Sequence, residues 1–369
     1  MKIAIFSDPH LGYHRFEEDS YIQAERTIVD ATEKADLILC GGDIFDTKVP
    51  KLETLKRAVE IFNKSKIPIF AIFGNHERRA KEFVNPAQLL AASTGIKLLH
   101  GETAVFEKNG EKILIFGVGS VPEEYATEAI RKTVNERFKK EENAFSILMM
   151  HQSIKELIPG AEEEVSLEFL ETLPFDLIVN GHLHETVAKL DGKFLIPGST
   201  VITQLKKNEM ANKGYYLYDT VEDKAEFIEI ETRKFFYEEL DFKDAGEREI
   251  NEKVKEKIEG IRKEYPEALI AIKLNGNLKE GISGSDIKID EYENTFIENR
   301  LNVESLGAKL EMIRNSRQEN LSVRDLALKE LKAKTEGKIN LFDSAEIFEK
   351  LILGTDETLE YLEKRKESA

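Results

Sequence analysis

The sequence predicts a protein of the α/β (α+β) class, in which short buried strands alternate with amphipathic helices. Short apolar runs bounded by Gly, Pro, Asp or another polar residue recur along the first half of the chain, and such runs are typical of buried strands. Between several of them, apolar residues recur at helical spacing. We therefore expect helices that pack against the faces of a sheet.

The individual elements follow from these patterns. Five apolar runs are predicted as strands, at residues 3–6, 37–40, 69–73, 147–150 and 177–179. Two helices are predicted: Leu52, Leu55, Ala58, Val59 and Phe62 recur at helical spacing, and Ile22, Ile28, Val29 and Ala31 suggest another helix. This first region of the chain, residues 1–232, ends in two strands that we expect to pair, 215–218 and 227–230.

The pattern changes after residue 232. A helix is predicted with its apolar face formed by Ile250, Val254, Ile258 and Ile261. A strand at residues 268–274 and a Gly-rich segment at 276–284 follow it. Residues 233–312 therefore resemble a small α+β domain, and they carry no chemical motif of their own.

The last part of the chain, 313–369, is predicted to be helical. One apolar stripe runs through Val323, Leu326, Ala327 and Leu331, and a second through Ile347, Phe348, Leu351 and Ile352. Ser344 is a candidate N-cap of the second helix, and Gly354 a candidate stop. So short a segment cannot bury both stripes alone, so we expect it to pack on its own protein or on a partner.

Ligand-type side chains follow each of the five predicted strands. They are Asp8, His10, Asp43, Asn75, His151, His182 and His184. Active sites of α/β proteins lie at the carboxyl ends of strands, where these residues are predicted to meet. The other two histidines outside the motifs, His14 and His100, are more simply explained as ordinary polar side chains. The sequence therefore predicts a metal centre.

Seven ligands are too many for one ion of four- to six-coordination, so we expect two metals. A pair needs a bridging carboxylate, and Asp43, after a central strand, is the candidate. Nitrogen and carboxylate ligands without thiolates suit manganese, iron or zinc. Two such ions clamp the attacking and leaving oxygens of a displacement at phosphorus.

Composition limits the possibilities further. A length of 369 residues predicts two or three domains. The single cysteine, Cys40, excludes an internal disulfide and is expected to be a small core residue. We find neither a transmembrane stretch nor a signal peptide, so the expected protein has no membrane association and is cytoplasmic.

The formal net charge of −17 at first disfavours nucleic acid as a partner. Bound divalent metals would offset this charge locally. Basic residues also follow two of the turns on the predicted metal side: Arg78, Arg79 and Lys81 after one, and Lys206 and Lys207 after the other. Arg78, Arg79 and Lys206 are candidate substrate contacts, with solvated loops as the alternative. Alone, the chain is expected to bind DNA weakly.

The ordered motifs resemble those of the calcineurin-like metallophosphoesterases. They are Asp8-x-His10, Gly42-Asp43, Gly74-Asn75-His76-Glu77, His151 and Gly181-His182-x-His184. Further details, Asp8-Pro9-His10-Leu11-Gly12, Gly41 to Asp46, Met150-His151-Gln152 and Ile196-Pro197-Gly198-Ser199, are similar to the meiotic recombination eleven, or SbcD-type, family. That family contains the nuclease subunit of the double-strand-break repair complex, and the length and acidic tail suit its archaeal members.

This resemblance implies a fold and roles for individual residues. The fold is a two-sheet metallophosphoesterase sandwich flanked by helices, with a small α+β capping domain and a helical tail. One metal would be held by Asp8, His10 and His184, the other by Asn75, His151 and His182, with Asp43 bridging; the implied ions are two Mn²⁺. His76 would contact the scissile phosphate or protonate the leaving oxygen. Where the family often carries a second histidine, this chain has Asp46, which cannot stabilise phosphate charge in the same way.

The resemblance also implies the domains and partners. Residues 1–232 would form the nuclease domain, 233–312 a capping domain that guides DNA, and 313–369 a tail that binds an SMC-like coiled-coil ATPase. The chain is expected to act as a homodimer in a heterotetramer, as a manganese-dependent DNA exonuclease and endonuclease in double-strand-break repair.

Two alternative functions remain at this point. One is another dinuclear metallophosphoesterase, either a phosphatase or a small-molecule phosphodiesterase. Phosphatases usually carry Arg-Gly after the residue equivalent to Asp46, where this chain has Thr47-Lys48, and small phosphodiesterases rarely need the additional C-terminal residues. The other is a scaffold without activity, against which the complete ligand set argues.

Overall fold

The computed structural model describes residues 1–80, 83–158, 164–279, 282, 284 and 287–302. Its strands, in chain order, are β1 (Lys2–Phe6), β2 (Leu37–Cys40), β3 (Ile69–Ala71), β4 (Lys97–Leu98), β5 (Glu102–Lys108), β6 (Glu111–Val118), β7 (Phe145–Met150), β8 (Leu177–Asn180), β9 (Val187–Lys189), β10 (Phe194–Ile196), β11 (Gly214–Asp219), β12 (Lys224–Glu229), β13 (Phe235–Ala245), β14 (Leu269–Leu278) and β15 (Thr295–Asn299). The α-helices are α1 (Glu17–Lys34), α2 (Leu52–Phe62), α3 (Pro86–Ser93), α4 (Glu123–Arg137), α5 (Leu167–Glu171) and α6 (Glu247–Arg262).

The first twelve strands form two mixed sheets of six strands each. The first sheet has the order β12-β11-β1-β2-β3-β4, and the second has the order β5-β6-β7-β8-β10-β9. Strands β1, β2 and β3 run parallel, as do β6, β7, β8 and β10. The hairpin of β11 and β12 is antiparallel, which confirms the predicted pairing of these two strands.

The central strands are buried on both faces, and this explains why they read as continuous apolar runs. Along β1, Ile3 and Ile5 face the second sheet, whereas Ala4 and Phe6 lie in the core beneath the helices. On the far side of the second sheet, a separate core packs against α4 and α5. The architecture is therefore the predicted sandwich, with two sheets face to face and helices outside.

Helix α1 confirms the predicted helix but not all of its predicted face. Ile22 and Val29 are 36% and 41% exposed, so they do not contribute to the core. The buried face consists instead of residues such as Ala24, Ile28 and Ala31. Cys40 is fully buried at the end of β2, as expected of a core residue.

The last three strands form a separate parallel sheet in the order β13-β14-β15. Helix α6 connects β13 to the parallel strand β14, and it buries Ile250, Val254 and Ile258 against that sheet. Strand β14 continues to Leu278, beyond the predicted end at residue 274. It can do so because Gly276 has a φ of 102° at a β-bulge, where a Cβ would lie 1.9 Å from the carbonyl oxygen of Phe242.

A small apolar cluster joins this third sheet to the sandwich. Phe235, Leu269 and Ala271 pack there with Phe16 and with the segment Val201–Ile202, which follows β10. The domain boundaries at 232 and 312 and the capping role stay predictions. The predicted tail, 313–369, lies outside the described residues.

No helix in the described ranges is both long enough and apolar enough to cross a membrane. The predicted cytoplasmic location stays a prediction.

Candidate metal centre

The predicted ligands come from both sheets and meet at one edge of the sandwich. They follow the carboxyl ends of β1, β2 and β3 in the first sheet and of β7 and β8 in the second. Backbone hydrogen bonds join the loops after β1 and β2: Asp8 N donates to Gly42 O at 3.0 Å, and His10 N to Asp43 O at 3.1 Å. The structure thus brings together all seven residues that the sequence predicted as ligands.

Several of these residues have a left-handed backbone conformation, which residues other than glycine rarely adopt. The φ angles of Asp8, His10, Asp43 and His182 are 53°, 44°, 46° and 77°. Strain of this kind persists only where the surroundings enforce it, and it concentrates at functional sites. Gly74 is part of that enforcement, because a Cβ there would lie 1.9 Å from Asp43 Oδ1.

One group of candidate ligands consists of Asp8, His10 and His184. The Nε2 atoms of the two histidines are 3.2 Å apart, and they lie 4.0 Å and 3.9 Å from Asp8 Oδ1. Asp8 and His10 are almost completely buried. Separations of this order are expected between atoms that share an ion at a bond length of about 2.1 Å.

A second group consists of Asp43, His151 and His182, with the amide of Asn75 beside it. His151 Nε2 lies 3.2 Å from Asp43 Oδ2 and 3.1 Å from Asn75 Oδ1, and His182 Nδ1 lies 2.9 Å from the same amide oxygen. Asp43 also groups with His10 and His76. Its carboxylate therefore lies between the two sets, where a bridging ligand belongs.

Neighbouring hydroxyl groups determine which ring nitrogen is protonated in His184 and in His182. Thr203 Oγ1 donates to Glu209 Oε1 at 2.8 Å, because an ionised carboxylate can only accept. The hydroxyl has a single proton, so in its contact with His184 Nδ1 it must be the acceptor. Glu209 in turn pairs with the buried Lys213, 2.5 Å away. The proton of His184 is thereby placed on Nδ1, and Nε2 keeps its lone pair.

His182 has an equivalent arrangement with the nitrogens exchanged. Ser153 Oγ donates to Glu123 Oε1 at 2.6 Å and accepts from His182 Nε2 at 3.0 Å. The lone pair of His182 is therefore on Nδ1, the nitrogen that faces Asn75. Such hydroxyl and carboxylate partners orient histidines that bind metals.

The donor set fits a pair of cations. His151 Nδ1 donates to the carbonyl of Gly41 at 2.8 Å, so Nε2 is the nitrogen directed at the oxygens of Asp43 and Asn75. The Nε2 atoms of His10 and His184 face each other in the same way. A bound cation would take the place of the protons that these nitrogens otherwise share with their neighbours.

The protonation states agree with this arrangement. Burial lowers the pKa of His182 to about 4 and that of His184 to about 2, so both imidazoles are neutral at neutral pH, as metal binding requires. Burial also acts against a charged His151, but the adjacent Asp43 raises its pKa to about 9. Burial raises the pKa of Asp8 to about 6. A protonated His151 therefore balances the charge of Asp43 in the absence of metal, and metal binding would release that proton.

His76 and Asp46 form a neighbouring pair. His76 Nδ1 donates to the backbone carbonyl of Asp46 at 2.6 Å, so its Nε2 faces the centre, 4.0 Å from Asp43 Oδ2. The Asp46 carboxylate lies 3.4 Å from His10 Nδ1. Asp46 therefore contacts two of the site histidines, a role that its substitution for the usual histidine did not suggest.

Sequence reasoning missed the supporting residues of the site. Glu77 is fully buried and accepts hydrogen bonds from Phe45 N and Gly74 N, both at 2.8 Å, so it joins the loops after β2 and β3. Burial raises its pKa to about 8. Its position in the Gly-Asn-His-Glu motif was the feature of the sequence that could have indicated this supporting role. Thr203 and Glu209 carry no comparable signal, because no motif contains them.

The predicted substrate contacts are placed differently. Lys206 lines a cavity of about 500 Å³ together with Asp43, His76 and His184. Arg78 lines another, of about 350 Å³, with Asn75 and His182. The guanidinium of Arg79 donates to the carbonyl of Val84 at 2.9 Å and lies over the ring of Phe83, away from the ligands. Lys81 lies outside the described residues.

Comparison with known proteins adds to this geometry. The sequence profile of the calcineurin-like phosphoesterase family matches residues 1–186. The chain is 30% identical over 338 residues to the DNA double-strand break repair protein Mre11 of Methanocaldococcus jannaschii, an alignment that covers 83% of this chain and 88% of that protein. It is 26% identical over 331 residues to the Archaeoglobus fulgidus protein of the same name, which covers 78% of this chain and 69% of that protein.

The similarity extends beyond archaea. The chain is 28% identical over 304 residues to the double-strand break repair protein MRE11 of Encephalitozoon cuniculi. This alignment covers 71% of the chain but 53% of that relative, so the chain spans about half the length of the longer protein.

Proposed function

This chain belongs to the Mre11 family of calcineurin-like phosphoesterases and is a metal-dependent phosphodiesterase, and we propose that it cleaves DNA at double-strand breaks. The observation that carries this proposal is the position of Asp43. Its carboxylate is shared between the group formed with His10 and His76 and the group formed with His151 and His182. A carboxylate shared in this way suits a two-metal site that hydrolyses phosphodiesters.

We propose two Mn²⁺ ions as the cofactors. Asp8, His10 and His184 would hold one ion and Asn75, His151 and His182 the other, with Asp43 common to both, and the bound ions would supply positive charge to the reacting phosphate. The residues of the chain do the remaining work. His76 directs Nε2 toward the centre, where its imidazole can protonate the leaving oxygen.

The proposed substrate enters through the two cavities beside the centre. Lys206 lines one together with Asp43, and Arg78 lines the other together with Asn75 and His182, so a DNA strand would meet a cation in each cavity. The local charge that a strand meets there is therefore more positive than the overall charge of −17 implies. Arg79, whose guanidinium bonds to its own loop, contributes less to this proposal.

Digestion of DNA tests the proposal. End-labelled duplex DNA with blunt and recessed ends, and a circular single strand, are incubated with the full chain and Mn²⁺, with Mg²⁺, or with EDTA. We expect manganese-dependent shortening of the duplex and nicking of the circle. A phosphomonoester and a cyclic nucleotide are the controls. Hydrolysis of these small substrates without any cleavage of DNA would assign the chain to another class of metallophosphoesterase.

We also propose that residues 313–369 dock onto an SMC-like coiled-coil ATPase. The support is the pair of apolar stripes in that segment, which lie more than 100 residues beyond His184. Deletion of this segment is expected to leave manganese-dependent cleavage of single-stranded DNA intact and to abolish co-purification with the ATPase. Full binding of the ATPase by the truncated chain would overturn the proposal, and loss of solubility would show that the segment stabilises its own protein.

A homodimer is the third part of the proposal. Val49, three residues before α2, and Leu52, its first residue, are 72% and 78% exposed, which is unusual for large apolar side chains. Leu52→Glu is expected to convert a dimer into a monomer in light scattering coupled to size-exclusion chromatography. Val221→Glu, at another exposed position of 75%, is the control and should leave the mass unchanged.

A further inference from the structure

We propose that the cavity between β3 and α4 is a nucleotide subsite, in which Arg78, Arg137, His100 and Phe73 hold one unpaired nucleotide next to the scissile phosphate. This inference rests on the proposed function, because it assumes that the substrate is a DNA strand. It adds a site formed by residues that the metal centre does not use.

The lining of this cavity is strongly cationic. Its volume is about 630 Å³, within the range of small-ligand sites. Three arginines line it, Arg78, Arg79 and Arg137, together with His100, and none of its described lining residues is Asp or Glu. The chain as a whole has 70 acidic and 53 basic residues, so this concentration of cations runs against its composition. A cavity of this kind favours an anionic ligand.

The arginines are available for such a ligand. Among the described residues, no carboxylate lies within ion-pair distance of Arg78 or Arg137. Arg137 makes a long hydrogen bond of 3.4 Å to the carbonyl of Gly101, and Arg78 one of 3.5 Å to Ser120 Oγ. Both contacts are weak, and each guanidinium keeps donors for a phosphate, whose oxygens it matches in pairs.

The cavity also offers an aromatic surface. The rings of Phe73 and His100 lie 4.8 Å apart, at 44° to each other, and both line the cavity. Bases of single-stranded nucleic acid stack on such rings with little preference for one base over another. Arginine with an aromatic surface fits a nucleoside phosphate better than inorganic phosphate, which has nothing to stack.

The position of the cavity selects a DNA strand as the source of this nucleotide. Arg78 and Ser120 line both this cavity and the cavity of about 350 Å³ that contains Asn75, His151 and His182. A strand whose scissile phosphate lies at the candidate metal centre can therefore continue past Arg78 into the cationic cavity. The bases must be unpaired there, because the cavity has room for one nucleotide and not for a duplex.

Arg137→Ala in the full chain tests the subsite. Binding of a fluorescent single-stranded oligonucleotide is measured by anisotropy in EDTA, so that metal loading and cleavage do not contribute. We expect Kd to rise about tenfold, as for one lost charge-assisted hydrogen bond, and the slope of log K against log salt to fall by about 0.7. Lys132→Ala, which removes an exposed cation from the same helix, is the control and should match the wild type.

Two further measurements identify the ligand. His100→Ala should weaken binding of the single strand more than that of a blunt duplex, because only an unpaired base can stack. Titration with dAMP distinguishes a strand from a free nucleotide: weak competition supports the strand. Tight dAMP binding that Arg137→Ala abolishes would make the cavity a free-nucleotide site and overturn the strand assignment. An unchanged Kd and salt slope in Arg137→Ala, in a variant that melts like the wild type, would overturn the subsite altogether.

The outcomes separate the subsite from the proposed function. Hydrolysis of bis(p-nitrophenyl) phosphate, which has no neighbouring nucleotide, should be equal in Arg137→Ala and the wild type. If the wild type cleaves DNA but Arg137→Ala binds it normally, only the subsite is wrong. If the wild type binds single strands through Arg137 but never cleaves them, the subsite stands and the proposed nuclease function is wrong.

Discussion

His182 and His184 turn different ring nitrogens toward the candidate metal centre, although only one residue separates them. His182 directs Nδ1 to within 2.9 Å of Asn75 Oδ1, and His184 directs Nε2 to within 3.2 Å of His10 Nε2. The remaining nitrogen of each ring contacts a hydroxyl, of Ser153 or of Thr203, which donates to a glutamate. Two opposite tautomers are thus fixed side by side, and each histidine serves a different group of ligands.

Removal of one hydroxyl tests whether this orientation matters. Thr203→Val keeps the shape of the side chain but removes the acceptor for His184 Nδ1 and leaves Glu209 with one donor fewer. We expect the affinity of the metal-free chain for the Mn²⁺ ion held by Asp8, His10 and His184 to fall by about 10- to 100-fold, measured by calorimetric titration.

Thr200→Val is a closely matched control for this variant. Thr200 lies three residues away and is fully buried, whereas Thr203 is partly buried, and the Thr200 hydroxyl has no hydrogen-bond partner among the described residues. It should bind Mn²⁺ like the wild type. Equal affinities in the two variants would show that the Thr203 hydroxyl does not orient His184.

Asp43→Ala is expected to eliminate the metal pair. Its carboxylate groups with His151 and His182 and also with His10 and His76, so its loss should weaken both proposed metal positions at once. Metal analysis after gel filtration should find less than one ion per chain, whereas Asp8→Ala, which belongs to one group, should retain the ion near Asn75. Two tightly bound ions in Asp43→Ala would contradict the bridging assignment.

His76→Ser is expected to keep both metals and lose most hydrolysis. The loss should be about 10²- to 10⁴-fold if His76 protonates the leaving oxygen. Rates on DNA and bound metal are measured on the same preparation. His14→Ser removes an exposed histidine outside the candidate groups and is the control. A His76→Ser rate equal to that of this control would remove His76 from the catalytic residues.

The fold could be predicted largely because its strands are buried on both faces. Runs such as 37–40 and 147–150 are continuously apolar and end in ligand-type residues, so strand and site were visible together. Exposure on a helix was harder to predict. Ile22 and Val29 are apolar, as a core residue should be, but they lie outside the stripe of α1 that contacts the core. Only the packing in the folded protein distinguishes them from Ile28.

The supporting groups of the site could not be predicted for a different reason. Thr203 and Glu209 reach His184 only after the chain passes β10 and turns back, and their residue types are common on surfaces. Ser153 and Glu123 are brought together across 30 residues. Such contacts depend on tertiary structure, whereas ligand motifs depend on a few consecutive residues after each strand.

Asp176 links the starts of β7 and β8, at the opposite end of the sandwich from the site. Its Oδ2 accepts from Ser146 N at 2.8 Å and from Ser146 Oγ at 2.6 Å, and its Oδ1 accepts from Lys140 Nζ at 2.8 Å. Burial alone would raise the pKa of Asp176, but these hydrogen bonds outweigh it and hold the pKa below its ordinary value. The carboxylate therefore stabilises the folded chain when it is ionised.

Asp176→Ala should consequently destabilise the protein in a pH-dependent way. A carboxyl group whose pKa is lower in the folded than in the unfolded chain stabilises fully above its unfolded pKa, near 3.9, and loses this contribution as the pH falls toward the folded value. We expect urea unfolding at neutral pH to give a free energy lower than that of the wild type by about 1–2 kcal/mol, with the gap closing below about pH 4. Glu171→Ala removes an exposed carboxylate nearby and should show neither effect. A gap that stays constant from neutral to acidic pH would mean that Asp176 acts through packing and not through its charge.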